Sequence, residues 1–208
     1  MPDRDLSHPI VTGMPTYPGD PSVRVSPAAT LATDGVRVSH LELGSHTGTH
    51  VDAPAHVIPS GRTVDQIDPG QLIGPALVLR AANPRPTEPV VIDELPANLP
   101  RIVLLATGWD AHFDSPAALA HPYVSLELAQ TLWSRGARVL GLDTVSPDCS
   151  DNPSHRPKLP VHSFWLGQDG LIVENLVGLV SLPPQVEVVM LPLNVVGGDG
   201  APIRALAR

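Results

Sequence analysis

The chain has little charge, few aromatic side chains and almost no cysteine. Charged residues make up 16% of its 208 residues, below the roughly 25% that is typical of soluble domains. The single cysteine, Cys149, excludes a disulfide within the chain and fits a reducing compartment, so we expect a cytoplasmic protein. Because its context does not favour reactivity, this cysteine is interpreted as structural or incidental rather than as a nucleophile.

Several classes of partner find no support in the sequence. The formal net charge is −8 and no basic cluster of useful length occurs, which argues against binding to nucleic acid or to an anionic membrane. No apolar run approaches the roughly 18 residues of a membrane span, and residues 1–20 lack an apolar segment of signal-peptide type. The chain is most simply a single domain that spans residues 1–208.

Apolar runs separated by turn residues predict the α/β class. Strands are predicted over residues 36–43, 76–79, 101–106, 138–142 and 186–195, the last as the final strand. A helix is predicted over residues 125–135, with Ser125 as its N-cap and Gly136 ending it. A strand, a helix and a strand in this order imply at least one parallel crossover.

The most informative stretch runs from His46 to His56. It contains four possible metal ligands, which are these two histidines together with His50 and Asp52. A β-strand repeats every two residues, so His50 and Asp52 would project from one face. Residues four apart on a straight strand are separated by roughly 13 Å, so the chain must bend between His46 and His50, and Gly48 permits this. Imidazole and carboxylate are the usual ligands of zinc-like ions, so the cluster predicts a metal site rather than a polar loop.

Two later motifs carry turn signals. His162 and Glu174 flank the sequence Gly-Gln-Asp-Gly at residues 167–170, and the midpoint of the pair, Gln168, falls inside this turn signal. A chain reversal there would bring the two side chains together. Residues 197–200 read Gly-Gly-Asp-Gly, but no lysine or glycine spacing of a phosphate-binding loop follows, so these residues predict only a turn.

Some positions keep more than one interpretation. Tyr17 stands beside the Pro-Gly-Asp turn at residues 18–20 and either anchors the core or forms the wall of a pocket. Three residues after the strand at 101–106 are predicted to pack in a loop in preference to contacting substrate: Trp109, His112 and Phe113. Residues 146–158 predict a flexible loop. Four histidines are interpreted as ordinary polar residues, although the second lies near the cluster: His8, His40, His121 and His155.

The motif His-Thr-Gly-Thr-His-Val-Asp-Ala-Pro-Ala-His at residues 46–56 resembles the HxGTHxDxPxH signature of the cyclase family of metal-dependent hydrolases. An aromatic-Pro-Gly-Asp motif precedes it, and a His and Glu twelve residues apart and a closing Gly-Asp-Gly-Ala-Pro-Ile-Arg follow it, so the resemblance extends along the whole chain. The family includes bacterial kynurenine formamidase (an arylformamidase of tryptophan catabolism), isatin hydrolase and a dienelactone hydrolase. The resemblance implies an α/β, swivelling β/β/α fold with a mostly β core and few flanking helices, commonly in homodimers or larger assemblies.

The resemblance also implies a site with two metal ions per subunit, usually zinc, with manganese in relatives of isatin hydrolase. His46, His50 and Asp52 would bind one ion. Asp52 would also reach the second ion, which His162 would bind, and Glu174 would complete the site as a bridge.

His56 would then be the general acid/base, and Tyr17 stands where kynurenine formamidases have a substrate-contacting tryptophan. The expected activity is hydrolysis of the C–N bond of an aryl formamide such as N-formylkynurenine by metal-bound hydroxide, which a metal generates near neutral pH. Isatin or another cyclic amide or lactone is an alternative substrate, and a non-catalytic metal-binding module is a third possibility. Serine catalysis is not expected, since the sequence has no Gly-x-Ser-x-Gly elbow. Residues 149–158 and Tyr17 depart from the formamidase pattern, so the exact substrate stays open.

Overall fold

A computed structural model describes residues 3–150 and 159–208 of the chain. These ranges contain ten strands: β1 (Arg4–Asp5), β2 (Arg24–Ala29), β3 (Val38–Glu42), β4 (His50–Asp52), β5 (Ile73–Arg80), β6 (Ile102–Ala106), β7 (Val139–Leu142), β8 (Leu171–Glu174), β9 (Gln185–Pro192) and β10 (Gly200–Ala207). They also contain three α-helices: α1 (Leu31–Asp34), α2 (Leu126–Ser134) and α3 (Pro160–Gly167). Most of the loop predicted over residues 146–158 lies outside the described residues, and His155 lies outside them as well.

Seven of the strands form a closed sheet. Its order is β10-β4-β8-β7-β6-β5-β9, and β9 pairs again with β10 to complete the ring, while β1 adds to the edge of β10. Strands β5 to β8 are parallel to one another, and the remaining pairs of the ring are antiparallel. The helix α2 connects the parallel strands β6 and β7, which confirms the predicted crossover and the α/β class with a mostly β core.

The predicted helix and central strands are confirmed to within a few residues. Ser125 caps α2 by accepting a hydrogen bond from the backbone N–H of Leu128. The strand predicted over 186–195 ends at Pro192, and its assignment as the final strand is wrong because β10 follows. Apolar and polar residues do not alternate along β10, which consists largely of small residues and a proline. Most residues of β10 are buried, whichever face of the sheet they occupy.

Two apolar clusters lie on opposite faces of the closed sheet. All seven strands of the ring contribute to the first, which therefore fills the interior and includes Val51 and Val173. The second lies between the outer face and the helices, where Ile172 packs with Trp165 of α3. Side chains alternate along a strand, so the residues that flank Val51 and Val173 on β4 and β8 face the side covered by α3.

The strands β2 and β3 form a separate antiparallel ribbon. Every residue of β3 is exposed, including His40, so this histidine lies on the ribbon and is not among the residues that line the cavity described below. No helix in the described ranges has both the length and the apolar character that crossing a membrane requires.

Candidate active site

The strand β4 and the turn before it assemble the first half of the site. The register of β4 against β8 places His50 directly opposite Glu174. Gly48 has φ of +60°, which glycine adopts without strain, and the chain bends there as predicted. This bend returns His46 to the strand, where its Nδ1 lies 2.7 Å from Oδ1 of Asp52.

The reversal between α3 and β8 supplies the second half. His162 Nε2 lies 3.3 Å from Glu174 Oε1 and 3.5 Å from Asp52 Oδ2. The structure therefore brings His162 and Glu174 side by side, as the turn signal predicts. The turn is tight: a Cβ on Gly170 would lie 2.6 Å from Cδ1 of Trp165, so only glycine fits against the indole.

The donor atoms of these residues fit divalent metal ions. Two overlapping triplets have ligand atoms within 4.8 Å of one another, namely His46, His50 and Asp52, and then Asp52, His162 and Glu174. Three atoms in these triplets are buried without a hydrogen-bond partner among the described residues: His50 Nε2, Asp52 Oδ2 and Glu174 Oε1. An unsatisfied buried polar atom costs about 1–3 kcal/mol, so atoms that converge in this way indicate a ligand.

The separations between these atoms agree with that interpretation. His50 Nε2 lies 3.3 Å from an oxygen of Asp52 and 3.3 Å from an oxygen of Glu174. Two ligands bound to a tetrahedral ion at about 2.0–2.1 Å are themselves about 3.3 Å apart. Two carboxylates would also offset part of the charge of two cations.

Hydrogen bonds fix which imidazole nitrogen faces the site. His50 Nδ1 lies 2.9 Å from the carbonyl oxygen of Gly48, so Nδ1–H donates and, in the neutral ring, Nε2 carries the lone pair. His162 Nδ1 lies 2.7 Å from Oδ2 of Asp148. Asp148 is buried and also accepts from the backbone N–H groups of Val161 and His162, so one carboxylate starts α3 and orients its histidine.

The carboxylates and imidazoles perturb one another strongly. Burial lowers the pKa of His50, but the carboxylates of Asp52 and Glu174 outweigh it and raise the pKa to about 10. Burial likewise lowers the pKa of His162, whereas Asp148, Asp52 and Glu174 raise it well above its usual value. The pKa of Asp52 is well below its usual value because the histidines outweigh the effect of burial. A cation that binds here therefore competes with protons.

His56 lies at the edge of this cluster. It ends a short 3₁₀ helix, Pro54–His56, and 28% of its side chain is exposed. Its ring centroid lies 4.1 Å from that of His46 and 5.7 Å from that of His162. Its Nδ1 lies 3.3 Å from Oδ2 of Asp199. His56 thus stands between the candidate ligands and open space.

That space is a cavity of about 510 Å³, which His46, His50, His56, His162 and Glu174 line together with largely apolar walls. Such a volume suits a small ligand. The cavity is therefore where a substrate would meet the candidate metal ligands.

Aromatic side chains form part of the cavity wall. Tyr17 lines it, which decides between its two interpretations in favour of a pocket wall. Phe113 also lines the cavity and stacks on His8, with ring centroids 3.8 Å apart, so the prediction of loop packing is incomplete for Phe113. Trp109 packs in its loop as predicted, and its indole N–H donates to the carbonyl oxygen of Ala117.

Three carboxylates at or near the site were not predicted. Asp20 lines the cavity, where burial raises its pKa. Asp148 contacts His162, and Asp199 contacts both His46 and His56. Asp20 and Asp199 belong to the Pro-Gly-Asp and Gly-Asp-Gly motifs, which were interpreted as turns and as elements of the family resemblance, but neither residue was assigned to the site. His121, interpreted as an ordinary polar residue, is fully buried.

Comparisons with known proteins agree with this geometry. The family described as "Putative cyclase" matches residues 4–149. A kynurenine formamidase of Geobacillus thermodenitrificans is 33% identical over 210 residues, which cover 98% of this chain and 96% of that protein. A kynurenine formamidase of Salinibacter ruber is also 33% identical, with the same coverage of 98% and 96%. Isatin hydrolase A from Ralstonia solanacearum has a TM-score of 0.83 and 26% identity, over 99% of this chain and 91% of that chain.

Proposed function

The chain belongs to the cyclase family, and from this membership we propose that it is a metal-dependent amidohydrolase that cleaves the C–N bond of an aryl formamide such as N-formylkynurenine. The observation that carries the proposal is the pair of overlapping donor triplets, with their unpartnered buried atoms, at the wall of an apolar cavity. The names of the formamidase relatives support the substrate class.

The proposed ligands divide between two ions. His46, His50 and Asp52 hold one, while Asp52, His162 and Glu174 hold the other, in agreement with the two donor triplets. Such ions lower the pKa of water and polarise a carbonyl oxygen. Because Asp52 belongs to both triplets, removing its carboxylate affects both positions.

His56 acts as the general acid/base in this proposal. A histidine can take a proton from the attacking water and deliver it to the departing amine nitrogen. Two observations support the assignment: His56 lines the cavity, and its Nδ1 contacts Asp199, which leaves Nε2 for the proton. Tyr17 and Phe113 provide apolar surface for an aryl group.

A second candidate is hydrolysis of isatin or of another cyclic amide or lactone. The structural likeness to isatin hydrolase A supports it, and so does Tyr17, which stands where the formamidases carry tryptophan. The cavity offers the same apolar surface to a cyclic substrate as to an aryl formamide. A non-catalytic metal-binding module is the weakest candidate, because His56 lies outside the proposed ligand set and would have no role in such a module.

We further propose Zn²⁺ as the ion, two per subunit, with Mn²⁺ as the alternative. A donor set of three imidazoles and two carboxylates supports zinc. A homodimer or larger assembly is proposed because apolar side chains are exposed on β3, among them Val38 and Leu41. The single cysteine supports a cytoplasmic location.

Metal analysis followed by a hydrolysis assay tests the function. The purified protein would be analysed for bound metal, stripped with a chelator, reloaded with Zn²⁺ or Mn²⁺, and assayed on N-formylkynurenine and isatin. We expect activity that disappears on stripping and returns on reloading, and product analysis then separates the two substrates. Absence of bound metal together with no activation by either ion would refute the proposal, and tight loading without turnover would favour the non-catalytic module.

A further inference from the structure

The carboxylate of Asp199 joins two histidines that the proposed mechanism treats separately. Its Oδ2 lies 2.9 Å from Nε2 of His46 and 3.3 Å from Nδ1 of His56. The two rings pack together, with centroids 4.1 Å apart. One carboxylate oxygen has two lone pairs and can accept from both N–H groups, so Asp199 forms a bridge between a candidate ligand and the candidate acid/base.

The backbone around Asp199 is held in place independently of the histidines. Its carbonyl oxygen accepts from the N–H of Ala53, and the carbonyl oxygen of Gly198 accepts from the N–H of Val64. The N–H of Gly197 donates to Oδ1 of Asp65. The loop is therefore attached to the segment after β4, which carries His56, and the position of the backbone at Asp199 does not depend on the two rings.

A bridge of this kind selects a tautomer. If Nδ1 of His56 donates to Asp199, the neutral ring carries its lone pair on Nε2. In His46 the two nitrogens exchange these roles. Nε2 donates to Asp199, so the neutral ring carries its lone pair on Nδ1, which faces Asp52. Each ring then directs a defined nitrogen toward the site.

We propose that Asp199 is a positioning residue that holds His56 with Nε2 free to accept a proton, and that it acts on the reaction through His56. The inference rests on the proposed function in so far as it assigns His56 the proton transfer. The tautomer of His56 can be measured without turnover, so the contact between Asp199 and His56 can be tested separately from the proposed function.

A rival interpretation exists, because His46, His56 and Asp199 themselves form a triplet whose ligand atoms lie within 4.8 Å of one another. In that interpretation the three residues hold an ion, and Asp199 is a ligand. The two interpretations differ in metal content. Replacing a ligand lowers the number of bound ions, whereas replacing a positioning residue leaves the number unchanged.

The test uses Asp199→Asn, which keeps the size of the side chain and removes its charge. We expect kcat at saturating metal to fall about 10- to 100-fold, the size typical of residues that orient catalytic or metal-binding groups, with KM changed less than about twofold and the number of ions bound at saturation unchanged. Asp65→Asn is the matched control: it removes a carboxylate charge beside the same loop, its amide oxygen can still accept from the N–H of Gly197, and it touches neither histidine, so its kcat should equal that of the unmodified protein.

A double-mutant cycle decides whether Asp199 acts through His56. In a His56→Ala background, Asp199→Asn should cause no further loss, because the group it positions is absent. A further loss of tenfold or more in that background would overturn the proposal. So would the loss of one equivalent of metal in Asp199→Asn, which would make Asp199 a ligand.

Nuclear magnetic resonance of the protein with ¹⁵N-labelled histidine provides the readout that needs no substrate. We expect His56 in the metal-loaded protein to carry its proton on Nδ1, and Asp199→Asn to shift the population toward the other tautomer. If neither N-formylkynurenine nor isatin were hydrolysed, the proposed function would fail while this measurement still tested the bridge. A proton on Nε2 of neutral His56 in the unmodified protein would overturn the bridge itself.

Discussion

Gly200 offers a sharp test of how the site is packed. A Cβ at this position would lie 2.7 Å from Cε1 of His46 and 2.9 Å from the carbonyl oxygen of Val51. Carbon atoms in favourable contact are about 3.5–4.0 Å apart, so Gly200→Ala requires a shift of about 0.8 Å or more. The backbone of Val51 cannot move easily because β4 pairs with both β10 and β8, so the imidazole of His46 has to move.

The size of that shift sets the expected effect. Metal–ligand distances tolerate deviations of about 0.2 Å, so a displaced His46 would no longer reach the ion that it is proposed to share with His50 and Asp52. We expect Gly200→Ala to weaken metal binding by at least about 10- to 100-fold. Overpacking of a well-filled region costs about 1–3 kcal/mol, which corresponds to a fall in Tm of about 2–12 °C for a chain of this size.

Thermal unfolding and metal titration measure both effects, with Gly167→Ala as the matched control. A Cβ on Gly167 would make only an ordinary contact of 3.6 Å with Ile58, and Gly167 still lies within α3, where alanine has a higher helix propensity than glycine. This control should therefore bind metal normally and unfold at the same or a slightly higher temperature. Wild-type metal affinity and Tm in Gly200→Ala would refute the packing of His46 against β10.

Three further substitutions separate ligands from the groups around them. His56→Ala should lose about 10²–10⁴-fold in kcat while metal analysis finds the ions retained; loss of the ions would make His56 a ligand. Asp52→Ala should lose bound metal at both positions, and full occupancy in this variant would contradict its assignment. Asp148→Asn should lower metal affinity about 10- to 100-fold, because the ring of His162 loses its carboxylate partner; an unchanged titration would show that the helix alone orients the ring.

The half of the site that could be predicted is the half that local geometry controls. His50 and Asp52 are two residues apart, so a strand places them on one face whatever surrounds it. Gly48 is needed for the bend, and the Gly-Gln-Asp-Gly turn brings His162 to Glu174 because both positions lie within one reversal of the chain. In each case a short stretch of sequence contains the whole geometric reason.

The carboxylates that orient the histidines could not be predicted in the same way. Asp199 lies 153 residues from His46, and the contact exists only because β10 pairs with β4. That strand has no alternating pattern, since it is covered on both faces. Asp148 contacts His162 across the start of α3, and no spacing rule connects the two residues. Contacts of this kind depend on the tertiary pairing of strands and helices.

The orienting contacts explain why the candidate site can be rigid although its residues come from distant segments. His50 is held by the backbone of Gly48, His162 by Asp148, and His46 by Asp199. In every case the fold satisfies the nitrogen that turns away from the site, while the nitrogen that faces the site lies beside a carboxylate of the candidate ligand set. Aromatic residues from loops, in contrast, supply the cavity wall, and loops vary more readily than the strands they join. We therefore expect relatives with this ligand set to differ in substrate through the wall while they keep the metal chemistry.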